Sequence, residues 1–198
     1  MKYINQLDHP HMLYVTRADP EHAEYEKGKT TTIATSGCGL CSAIMVADRL
    51  LPFYDFDLYD AIELSYKVEA NRVAGTSYGR FAPAFAEKLG LKLEISRNVE
   101  DVSNCLRTGG AAVALVSGRS EGQGLFTRGG HYITVIGEEP DGRFAILDPY
   151  FKEGKFDEPD RKGKVEIKND YIVLCDKPTL VNEETRNGSF PYYLFWRK

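Results

Sequence analysis

The amino-acid sequence predicts an α+β fold in which helices pack on a mostly antiparallel sheet. Two observations carry that expectation. Helical spacing of apolar residues is concentrated between positions 38 and 107, whereas beyond 110 the chain breaks into short β-branched and aromatic runs separated by Gly, Asp-Gly and charged loops. Helices and strands that segregate along a chain argue against a parallel βαβ repeat. At 198 residues the chain is long enough to bury one good core and short for two, so a single domain spanning 1–198 is expected.

Each element has its own warrant. Residues 1–37 are rich in Asp, His, Pro, Thr and Gly with little sustained periodicity, and read as an irregular N-terminal arm ending in the tight "SGCG" turn. From Cys38 the apolar residues Ile44, Ala47, Leu50 and Leu51 recur at helical spacing until Pro52 stops the pattern. A second helix starts at the N-cap Asp57 and runs through Leu58, Ala61, Ile62, Ser65 and Val68. A third covers "YGRFAPAFAEKLG", with Pro83 expected in its first turn and Gly90 as its stop. After the short strand "LKLEIS", the segment "NVEDVSNCLRTGG" carries Val102, Cys105 and Leu106 on one face of a fourth helix. The segments "AAVALVS", "HYITVIGEE", "RFAILDP", "KVEIK", "YIVLC" and "YYLFWRK" are the remaining strands. The glycine-rich loop 117–130 suits a mobile rim, or a plain connector, and the charged stretch 151–164 a solvated insertion.

Composition removes several classes of function. Hydrophobic residues at 42% and charged residues at 27% match a folded globular chain. A formal net charge of −4 with no run of Lys and Arg gives no reason to expect a nucleic-acid partner. No window approaches the roughly 18 apolar residues of a transmembrane segment. The opening residues lack a basic segment followed by an apolar core, which suits a cytoplasmic protein, or a secreted one whose leader has been trimmed. Four cysteines at 38, 41, 105 and 175 are too sparse for a disulfide scaffold, and Cys105 and Cys175, in apolar-patterned segments, read as buried thiols.

Cys38 is the residue with chemical promise. At a helix N-terminus, unpaired amides and aligned peptide dipoles favour an anion and lower a thiol pKa. The flanking Gly37 and Gly39 suit a chain that turns sharply and leaves room for a substrate backbone. In "GGHYITVIGEEPDGRFAILDPY", His131 opens one strand, Asp141-Gly142 supplies a hairpin turn and Asp148 closes the next strand. A turn centred near 140–141 brings His131 within a residue or two of facing Asp148. A carboxylate accepting from one ring nitrogen leaves the other free to hold a thiolate or shuttle its proton. Taken singly, each of these residues has an ordinary reading as core thiol, strand-end histidine or turn-capping carboxylate; together they form a Cys-His-Asp set.

"TIATSGCGLCSAIMV", "GGHYITVIG" and "ILDP" resemble the papain-like cysteine peptidases of the bacteriocin-leader-processing type, in particular their stand-alone C39-like relatives, whose nucleophile motif reads Gly-Cys-Gly-Pro-Thr-Ser. The resemblance spans most of the chain, because "YINQLD" is similar to the segment preceding their nucleophile and "AGTSYGRF" to their middle. It implies a papain-like fold, a thioester acyl-enzyme, a peptide or small amide substrate and no cofactor. It also implies that Gln6 helps form an oxyanion hole, a contribution worth roughly 3 kcal/mol per donor. Position 32, six before Cys38 and the usual place of that glutamine, holds Thr32, and "LC" replaces Pro-Thr after the nucleophile motif.

That replacement opens two rivals. Cys38-Gly-Leu-Cys41 is also a thiol-disulfide oxidoreductase pattern, although the preceding "KTTTIATSG" is polar where a buried strand is needed, and His131 and Asp148 are left without work. Cys41 is otherwise a helix-face residue able to protect Cys38 as a reversible disulfide. A zinc site on Cys38, Cys41 and His131 has one close-spaced ligand pair and no second, so no metal is expected; the histidines at 9, 11 and 22 read as solvated. A non-catalytic peptide-binding relative is the third alternative.

Overall fold

The computed structural model describes residues 2–15, 31–186 and 188–198. Its spine is a seven-stranded sheet in the order β5-β11-β6-β7-β8-β10-β9, antiparallel at every pairing. These strands are β5 (Leu91–Ser96), β6 (Ala111–Ser117), β7 (Gly130–Glu138), β8 (Phe144–Leu147), β9 (Glu166–Lys168), β10 (Ile172–Cys175) and β11 (Tyr192–Arg197). The class is α+β, as the segregated pattern predicts.

Both faces of the sheet are buried, and the period-two alternation of its strands divides the core. Ala111, Val113, Tyr193 and Phe195 face one cluster, built with α2 (Cys38–Leu50), α3 (Leu58–Lys67) and α4 (Tyr78–Leu89). Ala112, Ala114, Val116, Tyr192 and Leu194 face the other, with α5 (Val99–Arg107) and α6 (Lys177–Asn182) against it. Cys105 and Cys175 are buried in this second cluster, with their thiols pushed up to about 12 by burial.

Helix boundaries follow local chemistry. Asp57 caps α3 by accepting from the Asp60 amide at 3.0 Å, and Asp60 returns the bond to the Asp57 amide. Gly90 ends α4 in the left-handed conformation at φ 65°. Pro83 lies inside α4, not in its first turn as expected, so the helix absorbs the loss of one N–H in its second turn.

The N-terminal arm is more structured than its composition suggests. It holds a 3₁₀ turn at Gln6–Asp8, the short pair β1 (Leu13–Val15) and β2 (Thr31–Thr32), and the one-turn helix α1 (Ile33–Ser36). A second small ribbon, β3 (Asn71–Arg72) with β4 (Gly75–Thr76), precedes α4. Of the arm's histidines, His11 is exposed and His9 half-buried, while His22 lies outside the described residues. Among the described residues no helix is long and apolar enough to cross a membrane.

Candidate active site

Cys38 begins α2 immediately after α1, and Gly37 is the joint. Gly37 closes α1 by donating to Ile33 O at 2.8 Å, while its own carbonyl accepts from the Cys41 amide at 3.0 Å. Close packing accounts for both glycines, Gly37 at the turn between α1 and α2 and Gly39 beside it. Neither has a positive φ. A Cβ at Gly37 would sit 2.6 Å from Ile33 O, and one at Gly39 would sit 2.9 Å from Thr76 Cβ and 3.3 Å from Tyr132 Cδ2. Their small size admits the protein's own neighbours.

His131 lies at the start of β7, opposite Val116 of β6. In the β7–β8 pairing Thr134 faces Leu147, so continuing the register sets Asp148 opposite Ile133, on the same face as His131. The Nε2 of His131 meets Asp148 Oδ1 at 2.7 Å. A carboxylate only accepts, so Nε2 carries the proton and Nδ1 is left free to accept one. Cys38 lines the same cleft as the ring and lies close enough for each group to perturb the other. Sequence reasoning therefore selects three residues that the fold brings together.

Electrostatics in this cluster are set by burial and then overturned by partners. Burial alone would push the Cys38 thiol up, but the His131 hydrogen bond and charge, with the backbone amides of Tyr132 and Gly39, bring it below its ordinary value. Burial would lower His131; Asp148, and then Cys38, raise it to about 9. Burial would raise Asp148, yet Lys155 and His131 hold it well below the usual carboxylate range. The anion-favouring groups around Cys38 are thus specific donors more than an open helix end, since α1 abuts that end.

Asp148 is 0% exposed and fully partnered. Besides His131, its Oδ1 accepts from the Tyr150 amide at 2.8 Å, and its Oδ2 accepts from Lys155 Nζ. Lys155 is 2% exposed and also donates to Tyr150 O at 3.1 Å. The stretch 151–164 is exposed over most of its length but anchored by three buried side chains: Lys155, Phe156, which joins the core, and Arg161, 5% exposed, which donates to Gly124 O at 2.9 Å and Lys155 O at 3.3 Å. Composition gave no signal for these buried charges, because a Lys or Arg that will be buried looks the same in a charged stretch as one that stays in solvent, even with Asp148 only seven residues from Lys155.

Gln6 is 3% exposed and lines the same cleft as Cys38 and His131. Its backbone amide donates to Pro149 O at 2.7 Å and its Nε2 to Ala34 O at 2.7 Å, while Oε1 is buried without a partner. The neighbouring residues of "YINQLD" share the anchorage, with Tyr3 OH donating to Asp148 O at 2.7 Å and Asn5 Nδ2 to Phe151 O at 2.7 Å. The N-terminal segment is thereby stapled to the turn that follows Asp148. Thr32 instead caps α1 and is not among the cleft residues.

The cleft has a volume of about 380 Å³, and Phe126, Arg128, Tyr150 and Lys152 also line it. The loop 117–130 does reach the site, but it is tied down: Leu125 and Phe126 enter the core, and the Glu183 carboxylate accepts from the amides of Gly124 at 3.0 Å and Leu125 at 2.8 Å. Cys41, one turn along α2, is buried in the helix-side core, and burial pushes its thiol far up. Among the described residues no group of three or more His, Cys, Asp and Glu is placed to hold a metal ion.

No protein-family model and no curated protein matches the chain. Solved structures do. The peptidase domain of Streptococcus ComA, a bi-functional ABC transporter involved in a quorum-sensing pathway, is similar with a TM-score of 0.51 at 17% identity, over 81% of this chain and 91% of that one. A Bacillus anthracis protein described as a C39-like peptidase is similar with a TM-score of 0.58 at 11% identity, over 100% of this chain and 94% of that one. The fold is that of C39-like, papain-like peptidases.

Proposed function

We propose that a chain with this fold acts as a cysteine peptidase or related amide hydrolase, with residues 1–198 working as one peptidase unit. The observation that carries the reading is the His131–Asp148 hydrogen bond beside a cleft that Cys38 and His131 both line. In the reaction, the Cys38 thiolate attacks a substrate carbonyl carbon, forming a C–S bond and moving the carbonyl electron pair onto oxygen. Collapse of that intermediate breaks the C–N bond, and the leaving amine takes the proton from His131 Nδ1. Neutral His131 then accepts a proton from water as the water attacks the thioester, and the thiolate departs. Asp148 orients the ring throughout. Gln6, with the Cys38 amide, is the proposed oxyanion donor, its side-chain amide standing in the same cleft.

The substrate class is a peptide or small amide, consistent with the peptidases that share the fold. Two measurements test the reading. Digestion of a peptide library by the intact protein should yield defined cuts that Cys38→Ser abolishes. Iodoacetamide labelling with peptide mapping should modify Cys38 at a pH well below the ordinary thiol range, and His131→Ala should remove that preference. Binding of peptides without cleavage would assign a non-catalytic relative, and parallel labelling of Cys38 and Cys41 in a dithiol titration would assign the redox rival.

A further inference from the structure

One buried group in this region is left without work by the Cys-His-Asp reading. Lys155 comes from a loop that is otherwise rich in exposed charge, yet its ammonium is nearly inaccessible and is directed at the far oxygen of Asp148. Its Nζ also lies 5.4 Å from the Tyr150 ring and 5.5 Å from the Phe156 ring, so its surroundings are aromatic and carbonyl. A buried lysine is costly unless paired, and a merely structural strut at this place could be apolar.

We propose that Lys155 is a positioning residue for the Cys38–His131 pair, balancing the charge of Asp148 so that His131 is free to gain and lose its proton. The inference rests on the reading of Cys38, His131 and Asp148 given above. With Lys155 present, the cluster is neutral overall in both working states. Thiolate, imidazolium, carboxylate and ammonium cancel before attack; in the acyl-enzyme the thioester and imidazole are neutral, and carboxylate and ammonium cancel. Without Lys155, the acyl-enzyme would leave an unbalanced carboxylate in a fully buried position. A proton drawn from solvent onto His131 would relieve that charge, and it would remove the base needed to activate water.

The groups facing this pair are few. From β7 comes His131, from α2 Cys38, and from the N-terminal segment Tyr3, whose hydroxyl donates to the Asp148 carbonyl. On the loop itself stand Tyr150, Lys152 and Arg161, while Glu158 is engaged with Arg128 at 3.2 Å and Arg161 at 3.5 Å. Among the described residues Asp148 is the carboxylate that contacts Lys155.

The test is the pH dependence of Cys38 alkylation by iodoacetamide, mapped to that residue, in the full chain and in Lys155→Met, Lys155→Gln and Lys155→Arg. Loss of a positive charge raises the proton affinity of every neighbour, so Lys155→Met should move both inflections of the profile to higher pH, by about one unit. Lys155→Arg should return them. Should Lys155→Met fail to give a cooperative thermal melt, Lys155→Gln, which keeps a donor but not the charge, is read in its place. A change in rate at every pH with the inflections unmoved, or a shift that arginine does not reverse, overturns the role. An ordinary thiol profile in the unsubstituted protein would instead remove the Cys-His-Asp reading itself.

Discussion

At the scale of single residues, the site turns on how burial is opposed. His131 is driven upward, from 6.5 to about 9, because the Asp148 carboxylate and its hydrogen bonds outweigh desolvation. A raised histidine contributes stability that is fully present below its unfolded value and fades as pH rises through its folded value. Asp148 is depressed, so its contribution is present above the unfolded carboxylate value, about 4, and fades as pH falls. The thermal midpoint should therefore hold a plateau from about pH 4 to 6.5, declining towards pH 9 and towards acid. His131→Gln should flatten the alkaline decline, and Asp148→Asn the acid one; an unchanged slope on either side in the matching variant would contradict the pairing. Cys38, His131 and Asp148 are legible in the sequence because each stands at an element end with a local signal, a glycine-flanked helix start or a hairpin of known turn. Lys155 is not, since nothing local distinguishes a lysine that will be buried against Asp148 from one in solvent.

At the scale of elements, the joint between α1 and α2 decides where the sulfur sits. Gly39 is pressed against Thr76 of β4 and Tyr132 of β7, and Thr76 belongs to a buried network in which Tyr14 OH bonds Ser65 Oγ and Thr76 Oγ1, each at 2.9 Å. Both neighbours resist displacement, since Thr76 is buried and Tyr132 is itself stacked on buried Tyr78 with ring centroids 4.6 Å apart. Gly39→Ala should then destabilise the protein by about 1–3 kcal/mol through overpacking. Chemical denaturation checks this; an unchanged midpoint would mean that α2 slides to make room, which alkylation of Cys38 would register as an altered rate. Helices such as α3 and α4 are readable because an apolar stripe runs along ten or more residues and a local signal marks one end, the Asp57 cap of α3 and the Gly90 stop of α4. The ribbons β1–β2 and β3–β4 are too short to show any period, and tertiary contacts make them. The loop 117–130 escapes a composition-based reading for the same reason, since Glu183, which gathers its amides, lies more than fifty residues away.

At the scale of the whole molecule, both chain ends converge on the machinery that holds the site. The N-terminal segment is bonded to the Asp148–Phe151 turn by Tyr3, Asn5 and Gln6. The C-terminal strand β11 is interior to the sheet, pairing with β5 through six residues and with β6 through four. Local patterning foretells that "YYLFWRK" is a strand, but strand order depends on which faces bury together, and that is a property of the assembled sheet. The position has a consequence for stability. β6 carries β7, and β7 carries His131, so β11 supports the site from two strands away. Removing residues 191–198 would expose the unpaired edges of β5 and β6 and uncover Ala112, Val113 and Ala114 on both faces, a loss no edge strand entails. Such a truncation should abolish the cooperative urea transition, whereas Ile167→Ala in the exposed edge strand β9 should shift it by no more than about 0.5 kcal/mol. A truncated chain that still unfolds in one sigmoidal step would show that the sheet closes without interior strand β11, and the support for His131 would then rest on β6, β8 and α2.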